Sequence, residues 1–419
     1  MFLSSDLTTS FFIPIIILLG LASVFSFLIT VLKLKFLPAF AIEILIGVII
    51  SHWFNGYMTE IGMDSFVEGL YTLGLVMIMF LSGYDVDFEI QGNFETGKLR
   101  HINLIKTTVL VLILIYAASM ISAIFYFNHF TNKLLGIILL GLIFASSFAG
   151  MIVPILHDGG LSHTVIGKLL SAIANFSEAL SIIFLTILMI VAKVDRQYAF
   201  ILLLVGLILL IFRILKKYKV GHFFDKISEG IDHLPTRIIF VLLLSMVLLS
   251  DLSGGEYILG AFVTGIFIRY SGFSEKIITS ITRLIYGVFA PMFFILVGTR
   301  IDIFEFFTNP QWLLVVLYIF VTMILVKLPV LYLLKCYKIS TVIPSMILLS
   351  STIVVSIAAS HVGESLGIFS REFGNSIILA SILICVIGTI IFEIRFPFGE
   401  YNKKTKEELE GSKDDVCIL

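Results

Sequence analysis

Charged residues are scarce in this sequence. Only 14% of its 419 residues are charged, whereas 59% are hydrophobic, and soluble globular domains lie far from that ratio. The scarcity excludes an ordinary soluble domain and predicts a polytopic membrane protein. We therefore expect a chain surrounded by membrane lipid rather than an enzyme, with no cofactor and no nucleic-acid partner.

Cysteine is nearly absent as well. Cys336 and Cys385 lie in or beside apolar segments and Cys417 lies near the C-terminus, so we expect no structural disulfide. The first apolar segment lacks the basic start and small-residue cleavage site of a signal peptide, which predicts a retained span. Residues 396–419 are mixed in charge, and we expect a short, disordered cytoplasmic tail without a fused regulatory domain.

Long apolar blocks, by contrast, are abundant. They run for about 18–25 residues, the length that a helix needs to cross a hydrocarbon core about 30 Å thick. The backbone in hydrocarbon must satisfy its own hydrogen bonds, so the blocks are predicted to be helices. We count about thirteen, at residues 10–31, 36–52, 67–84, 104–127, 134–156, 165–192, 198–215, 236–251, 256–270, 283–300, 311–334, 341–360 and 374–394.

Lysine and arginine are distributed unevenly between the predicted loops. With thirteen spans and an outer N-terminus, 22 of the 28 basic residues fall in inner segments, five in outer ones, and Lys327 inside a span. Basic residues accumulate on the cytoplasmic side of membrane proteins. The pattern predicts a multi-pass protein of the cell membrane with its N-terminus outside and its C-terminus in the cytoplasm.

Short motifs recur in the two halves of the chain. The segment "FLSGYDVDF" (80–88) resembles "ILVGTRIDI" (295–303), and two further matches follow the same order. The matched pairs are Gly83 with Gly298, Gly47 with Gly265, and Ser146 and Ser147 with Ser350 and Ser351. Equivalent spans are separated by an odd number of spans and so cross in opposite directions. We therefore predict inverted repeats at about 36–192 and 256–394, an arrangement typical of secondary transporters.

Two spans carry signs of interruption. In "LGIILLGLIFASSFAGMIVPIL", the serines, a glycine and Pro154 lie close together. Because proline cannot donate to the carbonyl four residues earlier, the break is predicted at about 147–153. Freed carbonyls there suit a cation, although a kinked helix with serines bonded to nearby backbone is an alternative. The span 341–360 contains Ser350, Ser351 and Thr352 but no glycine near them, so its break is less marked.

Two opposite charges lie at matched depth in the predicted spans. Helical rise places Glu178 about 15 Å, and Lys327 about 12 Å, from the cytoplasmic edge. A charge at mid-membrane is costly and normally marks an ion or proton path, although both residues also fit a structural ion pair. Asn175, one turn before Glu178, is a possible ligand or interhelical glue. Glu43 is shallower, and we interpret it as an entrance or packing residue.

The ordered motifs resemble those of the monovalent cation:proton antiporter-2 family. They are "LPAFAIEILIGVII", "LGLVMIMFLSGYDVDF", "ASSFAGMIVPIL", "LGAFVTGIFI" and "APMFFILVGTRIDI", and the resemblance covers about residues 10–395. It implies an all-α membrane antiporter domain over residues 1–395, with about thirteen helices, a dimerising scaffold and a mobile core with two crossed, broken helices. It also implies a homodimer.

The resemblance assigns roles to particular residues. The family's essential acid maps onto Glu178, its midplane lysine onto Lys327, and its unwound positions onto Ser146, Ser147 and residues 350–352. Ser177 stands where relatives carry a further acid or amide, and Glu178 stands where they carry aspartate. Lys327 must therefore pair with Glu178, pair with water or lose its proton.

One carboxylate suffices for an exchange mechanism. Protonated Glu178 has no charge to hold a cation, whereas ionised Glu178 can bind Na⁺, or alternatively K⁺ or Li⁺. The sequence thus predicts electroneutral exchange of a monovalent cation for H⁺. The alternatives are a channel or sensor that binds an ion without exchange, a potassium-efflux antiporter with a separate cytoplasmic regulatory subunit, and sodium-coupled uptake of an organic anion.

Overall fold

The computed structural model describes residues 3–31, 39–85, 104–161, 164–192, 233–252, 257–301, 309–333 and 338–398. Helices account for nearly all of this part of the chain, and no strand occurs within it. Cys385 is a buried free thiol, while Cys336, Cys417 and the tail beyond residue 398 lie outside the described residues.

Sixteen α-helices occur in the described residues. They are α1 (Leu3–Val31), α2 (Ala39–Glu60), α3 (Asp64–Asp85), α4 (Leu104–Ile124), α5 (Lys133–Ala145), α6 (Ala149–Asp158), α7 (Val165–Ala192), α8 (Leu234–Leu252), α9 (Tyr257–Ser271), α10 (Glu275–Leu284), α11 (Ala290–Thr299), α12 (Pro310–Leu325), α13 (Pro329–Leu333), α14 (Ile339–Leu349), α15 (Val354–Ser365) and α16 (Arg371–Arg395). A 3₁₀ turn, Phe127–His129, precedes α5, and a π-helical segment, Ile285–Phe289, joins α10 to α11.

Most predicted blocks coincide with these helices. In the described residues, nine helical stretches are long and apolar enough to cross a membrane, and Thr108–Ile124 and Tyr257–Ser271 are shorter apolar helices. The block at 198–215 lies outside the described residues, so the total of thirteen stays a prediction. Helix α2 continues to Glu60, beyond the predicted end at residue 52. The prediction followed the apolar run, whereas the helix extends into the more polar sequence after it.

Local capping explains where two helices begin. The side chain of Asn132 accepts a hydrogen bond from Leu135 N at the start of α5. The hydroxyl of Ser370 accepts one from Phe373 N at the start of α16. Each side chain satisfies one of the free N–H groups that every helix leaves at its first turn.

Two compact units make up the described residues. The first falls within Met1–Asp85 and Met189–Pro310, and the second within Val86–Leu188 and Gln311–Leu419. Each unit combines two segments that are far apart in the chain.

Close helix crossings at glycine organise the first unit. Where α2 crosses α11, a Cβ atom on Gly47 would overlap the carbonyl oxygen of Ile295, and one on Gly298 would overlap that of Ile44. Only glycine permits backbones to approach this closely, and small residues are the usual contact points between membrane helices. The crossing therefore depends on the absence of side chains at these two positions.

A second crossing in the same unit is built in the same way. Between α3 and α9, a Cβ atom on Gly83 would overlap the carbonyl oxygen of Phe262, and one on Gly265 would overlap that of Phe80. The repeat pairs Gly47 with Gly265 and Gly83 with Gly298, and each crossing contains one glycine from each pair. A twofold relation between the matched segments would exchange contacts in this manner.

Two interrupted helices lie at the centre of the second unit. The span formed by α5 and α6 is non-helical at residues 146–148, and the span formed by α14 and α15 is non-helical at residues 350–353. The first break is shorter and earlier than the predicted 147–153, since Pro154 lies inside α6. A proline in a membrane helix frees one carbonyl without necessarily ending the helix.

A third interruption, between α12 and α13, was not predicted. Before Pro329, Lys327 N donates to Ile324 O and Leu328 N donates to Leu325 O, so the chain tightens from α to 3₁₀ hydrogen bonding. The proline ring crowds the carbonyl of Leu325 and ends α12. Lys327 therefore lies on a turn between two helices rather than within a continuous span.

Candidate functional site

The two long breaks touch each other inside the second unit. Phe148 N donates to Ser351 O over 2.7 Å, and Ser147 Oγ donates to Leu349 O over 2.6 Å. Backbone groups that a continuous helix would satisfy internally are thus paired between the two interruptions. The candidate site is the region around this crossing.

Lys327 is bound to the C-terminal end of α5. Its Nζ donates to Ala145 O (2.6 Å), Ser146 O (2.9 Å) and Ser147 Oγ (3.0 Å), and the residue is fully buried. An ammonium group has three N–H donors, so these three acceptors use all of them. The positive charge also lies at the negative end of a helix dipole, where cations are stabilised.

Glu178 lies at the opposite side of the same break. Its Oε2 accepts a hydrogen bond from Ala149 N over 2.9 Å, at the N-terminal end of α6, and its side chain is 1% exposed. Free N–H groups and the positive end of the helix dipole favour a carboxylate at this place. All three hydrogen bonds of Lys327 Nζ go to the end of α5 rather than to Glu178, and each of the two charges lies at the end of a half-helix.

Buried acceptor oxygens surround these charges. Asn175 Oδ1 and Ser146 Oγ are buried, and neither has a hydrogen-bond partner among the described residues. Buried polar atoms are normally satisfied, so orphaned oxygens require an explanation such as an ion or water. The hydroxyl of Ser177 differs, because it donates to Ala174 O within its own helix.

The polar residues of the second break are held by their immediate surroundings. Ser350 Oγ donates to Met346 O, and Ser351 Oγ donates to Ile384 O over 3.4 Å. Thr352 Oγ1 lies 3.5 Å from Ser356 Oγ, and its backbone carbonyl accepts a weak hydrogen bond from Cys385 Sγ at 3.7 Å. Of this group, Ser351 contacts the first break, and it does so through its backbone carbonyl.

Sequence reasoning missed a hydroxyl pair behind the carboxylate. Tyr116 Oη, from α4, lies 3.0 Å from Ser177 O and 2.8 Å from Ser181 Oγ. Ser181 Oγ lies in turn 3.2 Å from Leu142 O in α5. A single tyrosine or serine in an apolar block carries no signal in one sequence, so only the folded structure brings these groups together.

Comparison with known proteins identifies the family of this chain. The family described as "Sodium/hydrogen exchanger, transmembrane" matches residues 16–396. The chain belongs to this family. The match confirms the family resemblance deduced from the ordered motifs, and the family is one of transporters.

Curated relatives in this family are distant in sequence. The putative Na⁺/H⁺ antiporter YjbQ of Bacillus subtilis (strain 168) is 26% identical over 88% of this chain, and the chain spans 61% of that relative's length. The Na⁺/H⁺-K⁺ antiporter GerN of Bacillus cereus is 22% identical over 88% of this chain and 92% of its own length. The Na⁺/H⁺ antiporter of Enterococcus hirae is 23% identical over 70% of this chain and 73% of its own length.

A solved structure shares the fold. The sodium proton antiporter MjNhaP1 from Methanocaldococcus jannaschii, determined at pH 8, matches 97% of this chain and 100% of its own with a TM-score of 0.59 and 16% identity. The predicted all-α, multi-pass membrane fold of the sodium/proton antiporter type is thereby confirmed.

Proposed function

We propose that this protein exchanges a monovalent cation for H⁺ across the membrane, with Na⁺ as the first candidate and K⁺ or Li⁺ as alternatives. The observation that carries the proposal is the placement of Glu178, a buried carboxylate at the N-terminal end of α6 beside the crossing of two broken helices. Intramembrane carboxylates in such positions mark ion and proton paths. The names of the relatives support the same activity.

Competition for one carboxylate provides the exchange. When Glu178 is ionised, it can bind the cation together with neutral oxygens, for which Asn175 Oδ1 and Ser146 Oγ are available. Hard monovalent cations prefer oxygen ligands of this kind. When Glu178 is protonated, it has no charge to hold a cation, so the proton and the cation exclude each other.

Lys327 acts in this scheme as a permanent counter-charge. Its three donors are used by the end of α5, and hydrogen bonds of a charged donor are stronger than neutral ones. Losing a proton would remove one of these bonds and the charge that stabilises the helix end. We therefore propose that Glu178 alone changes charge in the cycle, so the exchange is 1:1 and electroneutral.

The two units have different proposed roles. The second unit holds the candidate site and fits the mobile core, while the first fits the scaffold through its glycine crossings. We propose the repeats at about 36–192 and 256–394, an N-terminus outside and a C-terminus in the cytoplasm. A homodimer, which the family resemblance implies, completes the proposal, whereas a separate cytoplasmic regulatory subunit belongs to the alternative of a potassium-efflux antiporter.

Proton movement driven by a cation tests the activity directly. Purified protein in proteoliposomes with a pH-sensitive dye should show saturable proton movement on addition of Na⁺, Li⁺ or K⁺, and the order of half-saturating concentrations identifies the ion. Glu178→Gln should abolish it. The matched control is Glu43→Gln, which makes the same change at another buried glutamate, 7% exposed, in the first unit, and should retain exchange.

Two results would reject the proposal. Exchange that persists in Glu178→Gln would make this carboxylate structural. Proton movement that does not reverse when the cation gradient is reversed would favour a channel or sensor instead. Net current during transport, with a charge imbalance in each cycle, would reject the electroneutral stoichiometry alone.

A further inference from the structure

A pair of hydroxyl groups, on Tyr116 and Ser181, connects α4, α7 and α5. Tyr116 Oη lies within hydrogen-bond distance of Ser177 O and Ser181 Oγ, and Ser181 Oγ also lies within reach of Leu142 O. Ser181 is fully buried. It is one helical turn after Glu178, so the two side chains lie on the same face of α7.

The pair has fewer hydrogens than contacts. Each hydroxyl carries one hydrogen, so Tyr116 and Ser181 together supply two, whereas three contacts lie within bonding distance. The two hydroxyl oxygens are only 2.8 Å apart, a distance at which they repel unless one hydrogen lies between them, so one of the two hydrogens is used there. If Tyr116 donates to Ser177 O, Ser181 must donate to Tyr116 and leaves Leu142 O. If Ser181 donates to Leu142 O, Tyr116 must donate to Ser181 and leaves Ser177 O. Two mutually exclusive arrangements therefore exist, and each makes two of the three hydrogen bonds.

We propose that Tyr116 and Ser181 form a two-state hydroxyl switch that donates either to Ser177 O in α7 or to Leu142 O in α5, and that this choice sets the apparent cation affinity of the site. Both are positioning residues, since neither is assigned as a ligand. The inference deepens the proposed exchange function and rests on it.

The two arrangements differ in the charge that they leave at the end of α5. Leu142 O accepts Ser146 N and belongs to the last turn of that helix, whose negative end faces the break. A second donor on this carbonyl reduces the negative potential that favours cations there. Donation to Leu142 O should therefore weaken cation binding, and donation to Ser177 O should leave it stronger.

Single substitutions lock the switch in opposite states. Tyr116→Phe leaves Ser181 to donate to Leu142 O and keeps the ring that contacts Phe184 at 6.0 Å. We expect its half-saturating Na⁺ concentration to rise about threefold, the scale of one hydrogen bond. Ser181→Ala leaves Tyr116 to donate to Ser177 O, and we expect a fall of about threefold.

The double variant provides a sharper test than either single change. Ser181 is the member of the pair that contacts Leu142 O. Once Ser181 is replaced by alanine, removing the Tyr116 hydroxyl cannot change donation to Leu142 O. The half-saturating Na⁺ concentration of the double variant should therefore match that of Ser181→Ala rather than the product of the two single effects. Because Na⁺ and H⁺ compete, the pH at half-maximal exchange should move upward in Tyr116→Phe and downward in Ser181→Ala. Ser181→Thr retains the hydroxyl and should behave like the wild-type protein.

A matched control separates the switch from general loss of a tyrosine hydroxyl. Tyr126→Phe removes a similar bond, between Tyr126 Oη and Thr322 Oγ1 at 2.7 Å, which involves neither Ser177 nor Leu142, and should leave the Na⁺ dependence unchanged. Na⁺-dependent thermal stabilisation of the purified variants should show the same shifts in affinity without transport.

The outcomes distinguish this inference from the exchange proposal. Wild-type protein that shows no cation-driven proton movement would reject the exchange function. Wild-type exchange with both single variants shifted in the same direction, or with additive effects in the double variant, would overturn the switch. If one variant does not fold, the remaining single variant and Ser181→Thr still decide the direction of the effect.

Discussion

The two units bring membrane helices together in opposite ways. The first unit does so with uninterrupted backbone, because glycines at the α2–α11 and α3–α9 crossings allow carbonyl groups to touch the neighbouring helix. The second unit does so with interrupted backbone, whose exposed N–H and C=O groups pair with side chains and with each other. The second arrangement places two buried charges, Glu178 and Lys327, against the ends of interrupted helices.

Removing the Lys327 side chain should cause the largest loss of stability among the variants considered. Lys327→Met leaves the carbonyls of Ala145 and Ser146 buried without their donor, and each unsatisfied buried group costs about 1–3 kcal/mol. We expect a loss of roughly 3 kcal/mol or more in stability, together with loss of exchange. Thermal unfolding of the purified protein measures the first effect and the proteoliposome assay the second.

Two controls define what Lys327 contributes. Lys168→Met makes the same change at an exposed residue of α7 and should leave the melting temperature nearly unchanged. Lys327→Arg keeps the charge but not the compact ammonium, so it should retain part of the stability. A Lys327→Met protein as stable as the wild type would show that the broken helices do not depend on this charge.

The glycine crossing of the first unit should give the next largest effect. In Gly298→Ala, the new Cβ must displace the backbone of α2 at Ile44, and overpacking of this kind costs about 1–3 kcal/mol. We expect a lower melting temperature with little change in the half-saturating Na⁺ concentration. Gly56→Ala is the control, since a Cβ at Gly56, also in α2, meets nothing within 4 Å.

The Gly298→Ala variant also tests whether the first unit forms part of the ion site. A stability loss without a change in ion affinity fits a unit that supports the site without forming it. A change in Na⁺ affinity as large as that in the site variants would contradict the division of roles between the units.

Cys385 should contribute less than Lys327 within the second unit. Its thiol contacts the Ser351 side chain and lies 3.7 Å from Thr352 O in the second break, whereas Lys327 supports the first break with three short charged hydrogen bonds. Thiols are weak donors, so Cys385→Ala should cost no more than about 1–2 kcal/mol, mainly through lost packing. A loss equal to that of Lys327→Met in the same unfolding assay would show that both breaks are held with equal strength.

His129 should give the smallest effect, and one that depends on pH. It stacks on Phe373 with ring centroids 5.0 Å apart and an interplanar angle of 11°, and burial lowers the pKa of its imidazole below the ordinary value of 6.5. The unfolded chain therefore binds this proton more readily, so stability falls as pH drops through about 6.5. His129→Gln should reduce that slope slightly, as measured by melting temperature between pH 8 and pH 5; an unchanged slope would exclude His129 as its source.

Much of the fold followed from elementary constraints on the sequence. Apolar blocks of spanning length had to be helices, because lipid offers no hydrogen bonds to an open backbone. Glycines at matched positions in the two halves marked the crossings of the first unit, since only they permit contact between backbones. That Glu178 and Lys327 would have polar partners was also foreseeable, because an isolated charge in hydrocarbon requires one.

The tertiary structure decided the rest. Pro154 suggested a break at 147–153, yet the helix ends at Ala145 and resumes at Ala149, where groups from other helices satisfy the freed backbone. The second break contains neither glycine nor proline, and the partner of Lys327 proved to be a helix end. An interruption in lipid is stable only if distant segments supply its missing hydrogen bonds, so the apolar pattern determines which segments are helical, and the packed structure determines where those helices stop.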